Sequence, residues 1–184
     1  MKPDTALLRN NDPFYVPDFS REVHYETELV VKINRVGRAI GETFCPALLL
    51  RSGTGHRFHR TRPATHLHRQ RTAVGNSQSV RPFGGALPSF IPLAELGGNV
   101  QNLHFEMKLN GETRQLSFTG DMLFPVDRII AHVSRFITLK MGDLIYTGTP
   151  VGVGPVQPGD RLTRFARGIY AARFQYSLTP LPHP

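Results

Sequence analysis

The sequence predicts an α+β domain in which strands dominate, and three observations carry that reading. Short β-branched and apolar runs bounded by turn residues recur along the chain. Asn110-Gly111, the strongest short-range hairpin signal, joins two of them. One segment alone, opening at Pro125, carries helical spacing. At 184 residues the chain fits a single domain, 1–184, long enough to bury a sizeable core.

The elements follow in order. Residues 1–19 are rich in Pro, Asn and Asp and read as extended strand and turn. His24 to Ile33 ends in a β-branched apolar run and reads as a strand, with Gly37 and Gly41 marking the turns after it. From Cys45 to about Pro88 no helical or alternating pattern is sustained, and order returns near Ser89. His104–Leu109 and Glu112–Phe118 are the two arms of the Asn110-Gly111 hairpin. Pro125 suits a first helical turn, and Val126, Ile129, Ile130, Val133 and Phe136 then fall on one face. Met141-Gly142-Asp143 turns the chain into Leu144-Ile145-Tyr146, a short buried strand, and Thr147 to Gly154 is a glycine-dense loop.

Composition narrows the class. No apolar run reaches membrane-spanning length and no leading signal segment is present, so a cytoplasmic protein with no membrane partner is expected. Cys45 is the only cysteine, which excludes an internal disulfide. The net charge of +8 would suggest nucleic acid, but its distribution argues otherwise. From Cys45 to Gly85 there are seven arginines, four of the eight histidines and no Lys, Asp or Glu. The remaining 143 residues are nearly balanced.

Three features could carry chemistry. Glu26 and Glu28, two apart on a strand, project from one face, and a divalent cation with oxygen ligands would relieve their repulsion. The bland alternative is a solvated strand face. Thr147 to Gly154 offers free N–H groups and two hydroxyls suited to a carboxylate or phosphate, without the lysine of a P-loop. His56 to Arg71, HRFHRTRPATHLHRQR, offers His56, His59, His66 and His68 to a metal or its arginines to phosphates. No cysteine accompanies the histidines, and only Phe58 could stack on a base.

Several segments, in order, resemble the fumarylacetoacetate hydrolase family. They are KPDTAL (Lys2 to Leu7), HYETELVVKI (His24 to Ile33), NGE (Asn110 to Glu112), DMLF (Asp121 to Phe124), SRFITLKMGDLIYTGTP (Ser134 to Pro150) and VGVGPVQPGD (Val151 to Asp160). YETEL with TGTPVGVG is a highly specific pair, and past Asp160 the match weakens. The resemblance implies a mixed β-sandwich or roll with few helices.

Between YETEL and NGE the family carries segments similar to GIDFTARDLQ and PWExAKAFDxSA, and neither is present. Both emerge when codons are started one base later. Gly55 to Ala64 can then encode GIDFTARDLQ, and Arg71 to Gly84 can encode GLPWEIAKAFDxSA. The tryptophan is a demanding test, since Val74 must be GTG followed by the G of Gly75. One base gained near Phe44 and one lost near Gly85 accounts for the Arg/His surplus without a ligand.

What the resemblance implies for the site is specific. Glu26 and Glu28 would be metal ligands for Mg²⁺ or Mn²⁺, while the third carboxylate position is held by Arg57. The family's active-site lysine falls at Gln78, and its catalytic His/Glu lid pair would precede KPDTAL and is absent from this chain. Thr149, with Gly148, would hold a substrate carboxylate. The metal would polarise a 2-oxo or β-diketo acid, as in acylpyruvate hydrolysis, oxaloacetate decarboxylation or hydroxy-dienoate isomerisation. A homodimer is implied, together with little or no activity for this chain. Residues 45–88 are expected to be irregular, because Arg57 or Arg60 would replace core residues. The alternative, an Arg/His-rich nucleic-acid binder on a retired enzyme scaffold, would show binding that weakens steeply with salt.

Overall fold

The structure, a computed structural model, describes residues 7–8, 14–16, 22–60, 84–85, 90–167 and 174–180. Among them are twelve strands and one α-helix. The strands are β1 (Leu7–Leu8), β2 (Phe14–Val16), β3 (Val23–Ile33), β4 (Leu49–Arg60), β5 (Gly84–Gly85), β6 (Ile91–Pro92), β7 (His104–Leu109) and β8 (Glu112–Phe118). The helix α1 (Val126–Ser134) follows, then β9 (Leu144–Tyr146), β10 (Gly154–Val156), β11 (Arg161–Arg167) and β12 (Phe174–Pro180). They form two mixed sheets, one ordered β1-β5-β4-β3-β10 with β6 on β4 and β9 on β3, the other ordered β2-β12-β11-β7-β8. The α+β reading with few helices holds.

β3 explains the architecture. Its Leu29, Val31 and Ile33 pack on Cys45, Val100, Leu103, Leu139 and the α1 residues Val126 and Ile130. Burying each such side chain contributes about 1.5–3 kcal/mol. The opposite face carries Glu26, Glu28 and Val30, and it too is buried. β3 therefore lacks the alternation of a half-solvated strand, and the solvated-face alternative for Glu26 and Glu28 is overturned.

β4 runs antiparallel to β3 from Val23↔Arg60 to Ile33↔Leu49, with one irregularity at Lys32/Ile33. This corrects the expectation of an irregular 45–88 segment over residues 49–60. A ladder is made by backbone N–H and C=O groups that every residue but proline supplies, so β3 recruits its partner with little regard to side chain. Of the other residues in that range, 45–48 form a 3₁₀ turn with the preceding residues and Gly84–Gly85 form β5. Residues 61–83 and 86–88, including Gln78, lie outside the described set.

The hairpin of β7 and β8 has the predicted bounds. Asn110 (φ 53°) and Gly111 (φ 90°) both take the positive φ that such a two-residue turn requires. α1 starts after Pro125 as predicted but ends at Ser134, so Phe136 falls beyond it and is 68% exposed. The buried positions are Val126, Ile130 and Ser134. Ser134 takes the place an apolar residue would fill because its hydroxyl donates to Ala131 O and accepts from Ile40 N. β9 is half-buried rather than buried.

Candidate functional site

The site begins with a gap in an edge. On the side of β3 away from β4, β10 pairs with residues 23–25 and β9 with residues 30–32. Between them the loop Thr147–Val153 and one side chain from the other sheet take over the ladder. Thr147 donates its N–H and its hydroxyl to Leu29 O, at 3.2 and 3.1 Å. Thr149 Oγ1 donates to Thr27 O at 2.9 Å. Thr27 N–H donates to Gln115 Oε1 of β8 at 3.0 Å. Gln115 Nε2 donates to Thr149 Oγ1 (2.9 Å) and Pro150 O (3.1 Å).

Glycine lets the loop sit this close. A Cβ on Gly152 would stand 2.2 Å from Arg114 O, and one on Gly154 would stand 2.9 Å from the Tyr25 hydroxyl oxygen. Gly148 also has positive φ (101°), yet nothing lies within 4 Å of where its Cβ would be. Its backbone faces open space.

Glu26 is 9% and Glu28 1% exposed. Gly148 N–H donates to Glu28 Oε2 at 2.7 Å, a charge-assisted bond that favours the ionised carboxyl. Gly148 thus joins Glu28 to the loop. The same loop, through Thr147, Gly148 and Thr149, walls a cleft of about 670 Å³ whose facing side includes Phe118, Met122 and Phe124. That volume and apolar lining suit a small organic ligand.

The structure therefore brings Glu26, Glu28, Gly148 and Thr149 together within one stretch of β3 and its covering loop. Both predicted anion donors are engaged, the Gly148 N–H with Glu28 and the Thr149 hydroxyl with Thr27 O. Register sets Arg57 directly across from Glu26, and Gly55 across from Glu28. Among the described residues no third acidic ligand joins the pair, and they hold no group of three His, Cys, Asp or Glu able to bind a metal. These described donors alone fall short of the set a catalytic dication needs. At about 5 Å and an effective dielectric constant near 20, each pair of unit charges is worth roughly 3 kcal/mol, and an acid-to-arginine exchange counts against a 2+ ion several times over.

Gln115 was not foreseen. It is 1% exposed and lies on a strand that the sequence does reveal, but no local motif marks it. Its role exists only once the two sheets are stacked. The Arg/His tract gives the nucleic-acid alternative no support, since His56 to Arg60 are ladder residues opposite Val23 to Thr27.

Two mixed sheets hold paired buried carboxylates beside a glycine-rich loop and a cleft of small-molecule size. The chain belongs to the fumarylacetoacetate hydrolase family: residues 1–175 match the model of the fumarylacetoacetate (FAA) hydrolase C-terminal domain. Family members are hydrolases, isomerases and tautomerases, so by family it is an enzyme. It is 36% identical over 165 residues to the oxaloacetate tautomerase YcgM of Escherichia coli, covering 89% of this chain and 74% of that protein. It is 32% identical over 178 residues to the mitochondrial oxaloacetate tautomerase FAHD1 of Bos taurus, covering 95% and 78%. The fold matches fumarylpyruvate hydrolase from Pseudomonas aeruginosa, solved with Mn²⁺ and pyruvate, with a TM-score of 0.89, 23% identity, and coverage of 97% and 77%.

Proposed function

We propose that this chain carries the 2-oxo-acid site of its family in a form unable to close around a divalent cation, and is inactive as written. The observation that carries the reading is the joining of Glu28, which shares a strand face with Glu26, to the Gly148–Thr149 turn through the Gly148 N–H. In this reading Gly148 and Thr149 bind the carboxylate of a 2-oxo or β-diketo acid. Glu26 and Glu28 would supply two of the oxygen ligands for Mg²⁺ or Mn²⁺, and Arg57 opposes that ion. The substrates of the tautomerase relatives, oxaloacetate tautomers, are of this class. A homodimer in the cytoplasm goes with the reading, and light scattering measures the first.

The test is Mn²⁺ binding followed by electron paramagnetic resonance, with the intact chain beside Arg57→Asp. The chain as written is expected to bind only above about millimolar Mn²⁺, and Arg57→Asp at least about 100-fold more tightly, a modest share of the Coulomb difference. Micromolar binding by the unaltered chain, or no gain in Arg57→Asp, overturns the reading.

A further inference from the structure

The Thr27 peptide, the Gln115 carboxamide and the Thr149 hydroxyl form a closed hydrogen-bonded circuit. Thr27 N–H donates to Gln115 Oε1, Gln115 Nε2 donates to Thr149 Oγ1, and Thr149 Oγ1 donates to Thr27 O. The orientation of the amide is fixed at both ends. The Thr27 N–H can only donate and the Pro150 carbonyl can only accept, so Oε1 must face the first and Nε2 the second. Both Nε2 hydrogens and the Oε1 are thereby engaged by the site, and the side chain is buried. Thr27, whose peptide N–H it holds, stands between Glu26 and Glu28.

Thr149 is the member of the circuit that can change partners. Its hydroxyl hydrogen is on Thr27 O, and a carboxylate arriving beside Gly148 would be a stronger acceptor than a peptide carbonyl. Turning that hydrogen to the ligand leaves the oxygen to be held by Gln115 Nε2 alone. A hydroxyl that accepts a hydrogen bond is also polarised into a better donor. Gln115 touches neither the carboxylates nor the open side of Gly148, so it acts through Thr149 and Thr27.

We propose that Gln115 is a positioning residue: from the second sheet it fixes the Thr149 oxygen and the Thr27 peptide so that the Gly148–Thr149 turn meets a carboxylate with its donors aligned. This rests on the 2-oxo-acid reading and adds to it a residue that makes no ligand contact of its own.

The test uses the full chain labelled with ¹⁵N, pyruvate as the probe, and the variants Gln115→Met, Gln115→Glu and Thr149→Ser. In the unaltered chain pyruvate is expected to shift the Gly148 and Thr149 amide signals. Gln115→Met should weaken pyruvate by about tenfold and speed amide exchange at Thr27, since it removes both donors and the acceptor at similar length. Gln115→Glu keeps the acceptor, so Thr27 should stay protected while pyruvate binding falls about tenfold. Thr149→Ser keeps the hydroxyl and should retain binding. That split between protection and affinity is not produced by general loosening. Equal pyruvate affinity in the unaltered chain and both Gln115 variants overturns the positioning role. Failure of pyruvate to shift any signal in the unaltered chain overturns the 2-oxo-acid reading itself. Should Gln115→Met not fold, Gln115→Glu alone carries the decision.

Discussion

Burial raises both the Asp127 carboxyl and the Cys45 thiol above their ordinary values. Glu28, also buried, accepts the Gly148 N–H. Burial pushes the Cys45 thiol up to about 11, and the nearby Asp127 carboxyl adds more to the rise than a backbone hydrogen bond from Ala131 takes away. Its sulfur donates to Asp127 O at 3.2 Å, so the protonated form is the one the fold holds. Stability from Cys45 is therefore complete below its ordinary value of 9.0 and is lost as pH rises through about 11. At pH 8 the native thiolate population is about 100-fold below that of an ordinary cysteine, and iodoacetamide labelling should slow by at least that factor relative to the chain in urea. Mass spectrometry measures the rate; equal rates would show the thiol to be open in the folded chain.

At the level of elements, the loop between β9 and β10 makes the sharpest claim. Gly152→Ala places a methyl 2.2 Å from a backbone oxygen at a φ of 99°, where the partner cannot rotate away. A loss of at least about 2 kcal/mol is expected. Gly148→Ala has a similar φ but open space around it and should cost only about 1–2 kcal/mol. Urea unfolding of the two variants side by side measures the difference, and equal losses would mean that φ alone, not the approach to Arg114, explains the glycines. These elements also show what could be read in advance. The hairpin and the helix start were legible because Asn110-Gly111 and Pro125 act within a few residues. The end of α1 was not, since Phe136 is apolar and only packing shows that it has left the face. The Glu26–Glu28 face was read as open to either environment, because a two-residue period says which side chains share a face but not what covers it. Gln115 was invisible for a deeper reason, as its partners are 88 and 34 residues away in sequence.

At the scale of the whole molecule, the ladder between β3 and β4 tolerates an unusual composition. β3 and β4 keep eleven paired positions although β4 lies in the segment without Lys, Asp or Glu. The shifted-frame reading makes a prediction that needs only the gene. The codon of Val74 is GTG, those of Ser77 and Ser79 are AGC, and an Asp codon begins at the middle base of Arg57. Sequencing through Ser89 checks all four; a TCN codon at either serine would remove the hidden Ala-Lys-Ala and the reading with it. The register brings Arg57 opposite Glu26, on the strand beside the acidic pair.

The break in the β3 edge has one more consequence. Leu29-Val30-Val31 is the kind of apolar, β-branched segment that pairs with copies of itself when an edge is left open. Along residues 27–29 that edge is closed not by a strand, which would invite another beyond it, but by a side-chain amide, two hydroxyls and a glycine-rich loop. None of these offers a continuing ladder, so strand addition stops there. The arrangement that links Gln115, Thr147 and Thr149 to β3 also insulates its Leu29-Val30-Val31 run from neighbouring molecules in a concentrated solution.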